Sequence, residues 1–403
     1  MTDSWVDGTL GDLCSFQAGV AFPRSEQGHT SGDYPFIKVS DMALPANSKR
    51  IVEANNWVSI ETAERMRLKL APAGAVAFAK IGEGLKAERL RQITRATAMD
   101  NNMMAAVPTS EKVDERFLLY LIESVNIASW AQGSALPYLS QTVLSEIPVR
   151  TPGLPEQRAI AATLGALDDK IESNRRAADT LVALISALFE QVISSHEVVY
   201  APLGELARAV NGRSYKSSEL QESSTALVTL KSVDRNGGYK ESGLKPYTGP
   251  HKPEQEVRPG EIVVAQTDLT QGAEVVGRGV RVPRSGRYDT LVASLDLAIV
   301  RPLAGMPVEY LHGLLSSEAF RQHCRAHVTG TTVLHLAKDA MPTWSAPIVP
   351  PDEQERFAES VRPMLARMDA LSEESARLVA LRDALLPEIL SGRVRVPVEG
   401  VVP

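Results

Sequence analysis

The sequence predicts a mixed α+β (α/β-rich) fold in which two globular units, one a diverged copy of the other, alternate with two long helices packed as an antiparallel coiled coil with pseudo-twofold symmetry. Three observations lead to this. Short motifs return after 193 to 197 residues, two stretches carry matching heptad seams, and the segments between them hold short strand-like runs.

The repeat is read first because it organises everything else. Leu10-Gly11-Asp12-Leu13, Gly19 and Phe22 are answered 193 residues later by Leu203-Gly204-Glu205-Leu206, Gly212 and Tyr215, and Lys38 and Asp41 by Lys231 and Asp234. Pro155-Glu156-Gln157 is answered at 197 by Asp352-Glu353-Gln354, each after a proline-bearing strand-like stretch, Ile147-Pro148-Val149 and Pro347-Ile348-Val349. The order is long, short, long, short: residues 1–153, 154–197, 198–350 and 351–403.

The short segments read as helices. Ile160, Leu164, Leu167, Ile171, Asn174, Ala178, Leu181, Ile185, Leu188 and Val192 advance in steps of four and three, which places them on one seam. Shifted by 197 they become Phe357, Val361, Met364, Met368, Leu371, Ser375, Leu378, Arg382, Leu385 and Ile389. Antiparallel pairing sets the fifth place of one seam against the sixth of the other, so Asn174 meets Ser375. Parallel pairing would set Asn174 against Leu371 and strand its amide, at about 1–3 kcal/mol. Arg382 then falls opposite Leu167, near Asp168 and Asp169, which otherwise read as a solvated helix face. Asp352 suits a helix cap, with Glu355 three residues on, and Pro155 suits a first turn. Pro363 implies a kink or a late start of the second helix.

In the long segments Phe36–Val39, Ala75–Phe78, Leu227–Leu230 and Glu261–Ala265 read as strands, while Phe117–Leu121 and Tyr310–Leu315 have helical spacing. Neither segment shows a complete doubly wound pattern.

Composition narrows the function. Hydrophobic residues at 44% and charged residues at 23% are enough to bury real cores. No apolar run approaches the roughly 18 residues of a membrane span, and the first ten residues lack a basic then apolar leader, so the expected location is the cytoplasm. Cys14 and Cys324, the only cysteines, exclude a disulfide framework or four-cysteine zinc site and read as packing residues. The net charge of −6 argues against coating nucleic acid by bulk electrostatics; the long segments are near neutral and the short ones acidic. No nucleotide-binding glycine turn, Walker motif or amino-methyltransferase Asn-Pro-Pro-aromatic stretch is present. Pro350-Pro351-Asp352 shares only prolines with the last, Gly82-Glu83-Gly84 is too short for a phosphate loop, and His323, Cys324, His327 and His335 read as helix surface and packing. No catalytic residue, metal or cofactor is expected.

A basic, glycine-punctuated stretch follows a buried strand in both units. In the first it holds Lys80, Lys86, Arg89, Arg91 and Arg95; in the second Gln266, Thr267, Gln271, Arg278, Arg281, Arg284 and Arg287. The planar Arg fork suits phosphate and guanine, and Gln and Thr can read adenine or position the backbone. The expected DNA-contact residues are Lys80, Lys86, Arg89, Arg91, Gln266, Thr267, Gln271, Arg278, Arg281 and Arg284. A solvated charged loop is the alternative for any one cluster. Its recurrence at matching places favours nucleic acid.

Leu154-Pro155-Glu156-Gln157-Arg158-Ala159-Ile160-Ala161, followed by Leu167-Asp168-Asp169-Lys170-Ile171 and Asn174-Arg175-Arg176, resembles the central conserved region of the specificity subunits of type I restriction-modification systems. Lys80-Ile81-Gly82-Glu83 and Asp100-Asn101-Asn102-Met103-Met104 are similar to stretches of that family's recognition domains. The likeness covers the chain through its long-short-long-short order. The second copy departs, with Asp352-Glu353-Gln354-Glu355-Arg356. The resemblance implies a non-catalytic subunit with two target recognition domains, each reading half of a split double-stranded DNA site. It also implies two methyltransferase subunits beside the helices and a motor nuclease joining for cleavage. S-adenosylmethionine, ATP and magnesium belong to those partners. A helix of about 33 residues spans roughly 50 Å, so the helices would act as a ruler. The rival classes are a coiled-coil adaptor that never touches DNA, and a self-sufficient methyltransferase or nuclease, which lacks its motif here.

Overall fold

A computed structural model describes residues 5–397, except 134–135, 236, 270–271 and 304. It divides into two compact units, residues 1–173 with 377–403, and residues 174–376. The division falls inside both long helices, so each unit contains one stretch of either helix.

In the first unit a five-stranded sheet runs in the order 14–18, 103–108, 76–79, 91–93 and 50–51, mostly antiparallel. A second sheet orders Trp57–Val58, Tyr34–Ile37 and Ala98–Met99, and Val6–Thr9 pairs with Pro148–Thr151 at the start of the first long helix. The second unit repeats this plan. Its main sheet runs 207–211, 297–302, 262–265 and 279–281, its second 245–246, 225–228 and 290–293, and Val199–Pro202 pairs with Ser345–Ile348 before the second long helix. The strands are short because glycine, proline and Asx turns interrupt every apolar run. The repeated glycines have a steric cause: a Cβ on Gly19 would lie 2.0 Å from the Asp100 carbonyl oxygen, and one on Gly212 2.1 Å from that of Ser294.

One repeated pair is a coincidence of sequence. Asp41 is fully buried and accepts the Lys38 N–H at 2.7 Å, but its counterpart in the second unit is Ser232, whose hydroxyl faces the Thr229 N–H at 3.4 Å. Strand 225–228 follows strand 34–37 at an offset of 191, so Lys231 and Asp234 sit two residues past the equivalent turn.

Each core lies between the main sheet and one helix. Glu115–Val125, capped by Asp114, buries Phe117, Leu118, Tyr120, Leu121 and Ile122 against Val76, Phe78 and Ile160. Each such side chain contributes about 1.5–3 kcal/mol. In the second unit Val308–Ser316 buries Tyr310, Leu311 and Leu314 against Phe189, Phe357 and Val361. Cys14 and Cys324 lie in these cores, where burial pushes both thiols up to about 12.

The long helices are Leu154–Ser195 and Pro351–Leu390. They pair antiparallel. Asn174 Nδ2 donates to Ser375 Oγ at 3.3 Å and to Glu374 Oε2 at 2.9 Å in the second unit, and Arg382 donates to Asp168 at 2.8 Å in the first. Four expectations are corrected here. The second helix starts at Pro351 and runs through Pro363, so there is no late start. Asp352 lies within the first turn, and the N–H groups of Glu353 and Gln354 are taken by the Pro350 carbonyl. Asp168 is only 6% exposed and Asp169 is held by Arg116 and Arg50, so neither is a free solvated carboxylate. Finally, Leu154–Ser195 is long and apolar enough by length and composition to cross a membrane: an 18-residue window has mean hydropathy 1.4, with 11% of it buried. Polar residues such as Asp179, Thr180, Ser186 and Glu190 interrupt the apolar run while the leucines, isoleucines, valines and alanines around them keep the average high.

Candidate nucleic-acid interface

The repeated glutamine of the short segments has a structural task. Gln157 is buried at the strand-to-helix junction; its Oε1 accepts the Asp114 N–H at 2.9 Å and its Nε2 donates to the carbonyls of Pro152 and Lys112 at 2.9 and 3.2 Å. Gln354 does the same to Val349 at 2.9 Å. The preceding acids meet the far end of the partner helix, as antiparallel pairing demands: Glu156 takes Arg395 at 2.8 Å, and Glu353 lies 3.3 Å from His196.

Seam positions divide into two sets. Ile160 and Leu164 are buried in the core of the first unit, whereas Leu167 and Ile171 are half-buried and Asn174 is buried. Val361 is fully buried in the core of the second unit; Met364, Met368, Ser375 and Leu378 are half-buried. Helix starts thus pack on their own globular unit while the middles face one another.

The basic residues also divide. In the first unit the chain leaves strand Val76–Ala79 at Lys80, turns through the short helix Gly82–Lys86 and returns as strand Arg91–Ile93. Lys80 is half-buried, while Lys86, paired with Glu83, and Arg89 are exposed. Arg91 faces inward and donates to the carbonyls of Asn47, Met42 and Leu90; burial draws its guanidinium down to about 10. In the second unit Gln266 donates to Asn211 Oδ1 at 3.1 Å, and buried Thr267 to Asp296 at 2.9 Å. Arg278 donates to the Glu274 carbonyl at 2.8 Å, and burial followed by nearby Arg321 lowers its pKa. Arg281 forms a two-pronged ion pair with Asp369 at 2.7 and 2.9 Å. Arg284 is exposed beside a cleft of about 190 Å³ lined by Tyr288 and Asp289, and Arg287 lies 5.3 Å over the Tyr288 ring. Gln271 lies outside the described residues. Strand Gly279–Arg281 therefore interrupts what reads in sequence as one basic loop. Lys86, Arg89, Arg284 and Arg287 keep exposed cationic side chains, whereas Arg91 and Arg281 spend theirs on the fold.

Sequence reasoning passed over one feature. In each unit a short antiparallel pair, Gln132 with Tyr138 in the first and Val328–Thr329 with Leu334–Leu336 in the second, is tied by backbone hydrogen bonds to the residues that follow the central strand. Its signal was Gly133 and Gly330, spaced by the same 197 residues as the glutamine motifs.

The fold defines a class: a tandem-repeat protein of two α+β units, each containing a stretch of both long antiparallel helices. Residues 2–181 match the family described as the type I restriction modification DNA specificity domain. Over 100 residues the chain is 31% identical to the type I restriction enzyme MjaVIII specificity subunit of Methanocaldococcus jannaschii; the match spans 24% of each protein, about a quarter of the relative's length. The fold of the chain is similar to that of the type-I restriction-modification system S subunit from M. genitalium, at a TM-score of 0.58 and 14% identity over 96% of both chains.

Proposed function

We propose that this protein is the non-catalytic DNA-reading subunit of a type I restriction-modification complex, each unit reading one half of a bipartite duplex target. The observation that carries the reading is duplication. The unit that contains most of the residues matched to a DNA specificity domain has a counterpart in the same chain, whose four-stranded sheet follows the order of the first four strands of the other and which carries the same junction glutamine. The exposed Lys86, Arg89, Arg284 and Arg287 supply phosphate contacts. The helices set the gap between half-sites, and two methyltransferase subunits dock on their apolar faces, where Val182, Leu184 and Leu381 are exposed. A motor nuclease subunit joins for cleavage, S-adenosylmethionine, ATP and magnesium reside in the partners, and the complex works in the cytoplasm. The test is the methylated sequence mapped across a genome in cells carrying this chain and its methyltransferase. Exchanging residues 1–150 for the equivalent unit of a relative changes one half of that sequence and leaves the other. If both halves change together, the two-reader assignment is wrong.

A further inference from the structure

Each unit presents its hairpin in one backbone frame. In the first, Gln132 and Tyr138 exchange N–H···O bonds at 2.9 Å, Ile81 bridges Tyr138, and the Leu139 N–H donates to the Lys80 carbonyl at 2.8 Å. In the second, Thr329 pairs with His335, Thr267 pairs with His335, and the Leu336 N–H donates to the Gln266 carbonyl at 2.8 Å. The Lys80 N–H meets the Asn102 carbonyl at 2.9 Å as the Gln266 N–H meets that of Asp296 at 2.7 Å. A left-handed glycine follows the first paired residue in both, Gly133 at φ +86° after Gln132 and Gly330 at φ +105° after Thr329. A Cβ at the second would lie 2.2 Å from the Val333 carbonyl oxygen.

The frame is common to both copies, but the side chains it displays are not. Buried positions keep their character, as at Leu139 and Leu336. Three displayed positions change their hydrogen-bonding chemistry: Lys80 becomes Gln266, Gln132 becomes Thr329, and Tyr138 becomes His335. Tyr138 is 44% exposed and His335 is also exposed; neither side chain has a hydrogen-bond partner among the described residues. Core packing rewards neither exposure nor divergence. Two readers of different sequences require a rigid frame with exchanged donors and acceptors, and a two-stranded ribbon fits the major groove of B-DNA.

We propose that the hairpin and the residue after the central strand form the base-reading edge of each unit, with Lys80, Gln132 and Tyr138 as one reading set and Gln266, Thr329 and His335 as the other. This rests on the DNA-reading assignment above. The test uses the full chain assembled with its methyltransferase. The triple variant K80Q/Q132T/Y138H is expected to alter one half of the methylated sequence and spare the other. H335A is expected to weaken binding to the cognate duplex about tenfold, and to alter the opposite half, while changing binding to an unrelated duplex less than twofold. Where an alanine variant loses its thermal transition, Y138F and H335Q carry the same comparison. Wild-type affinity and an unchanged methylated sequence in folded variants would overturn the proposal. If K86A/R89A and R284A/R287A still weaken binding in that case, the DNA-reading assignment stands and only the hairpin falls. If the wild-type complex shows no sequence preference among duplexes, the assignment itself falls.

Discussion

At the residue scale the pair Asp168 and Arg382 shows how little a carboxylate's sequence neighbours reveal about its environment. Asp168 stands beside Asp169 in a helix rich in polar residues, yet it accepts from Arg382 at 2.8 Å and from the Tyr120 hydroxyl at 2.7 Å. Burial, and then the Asp168 charge, push the Tyr120 hydroxyl up. Asp168→Ala removes one of the two carboxylates held by the half-buried Arg382 guanidinium, which keeps Asp383, and leaves the buried Tyr120 hydroxyl without its acceptor; the expected cost is about 1–3 kcal/mol, read from the urea midpoint. Replacing both residues by Leu is expected to recover most of it. If the single and double variants unfold alike, the pair contributes nothing. His312 gives a pH prediction. Burial and then Arg281 draw its imidazole down to about 4, below its ordinary 6.5, and its Nδ1 has no partner among the described residues. The unfolded chain binds the proton first as pH falls, so this stabilisation is complete above about 6.5 and is lost as pH drops towards 4. His312→Gln should flatten stability across that window. An unchanged acid limb would show that other groups set it.

At the element scale the direction of the helix pair follows from one polar position. An amide inside an apolar seam pairs best with another polar group, and Asn174 opposite Ser375 supplies that only in the antiparallel arrangement. The check is cross-linking: N174C/S375C should form a disulfide under mild oxidation and N174C/L371C should not. The native Cys14 and Cys324 are buried and do not compete. Preferential cross-linking of the second pair would reverse the assignment. The junction glutamines belong to this scale as well. Gln157→Ala strands the Asp114 N–H and two carbonyls, and about 1–3 kcal/mol of stability should go with them, measured by thermal unfolding. A glutamine at a helix start reads in sequence as an ordinary first-turn residue; only the strand folded back beside it turns its amide into a clamp.

At the scale of the whole molecule, two manipulations should have opposite effects. Exchanging residues 1–150 changes one half of the methylated sequence. Inserting four residues near Ala177 should keep both halves and lengthen the gap by roughly 6 Å of helix rise, about two base pairs, provided the seam absorbs the local unwinding. The surface cations are expected to act without regard to sequence. Replacing Lys86 and Arg89, or Arg284 and Arg287, by Ala should lower the log-log salt slope of binding by about 0.9 for each phosphate left unneutralised, measured by titration at several salt concentrations. An unchanged slope would remove these residues from the interface. The isolated chain should turn over neither S-adenosylmethionine nor ATP; either activity would contradict a purely reading role.

Sequence by itself determined the repeat, the long helices, their antiparallel sense and the positions of four core strands and two core helices. These features follow from local periodicity and from chemistry recurring at a fixed spacing, both of which survive in one dimension. Tertiary structure alone decided which polar groups are consumed by the fold. Arg91 and Arg89 lie two residues apart, yet one points inward to three carbonyls and the other outward, because Arg91 opens the strand Arg91–Ile93 while Arg89 lies before it, and that boundary is set by the strand's neighbours. Arg281 is likewise captured by Asp369, a residue 88 positions away. The hairpins were illegible for the same reason: they are held by backbone bonds to distant strand ends, and backbone pairing leaves almost no trace in side-chain pattern until the chain has closed on itself.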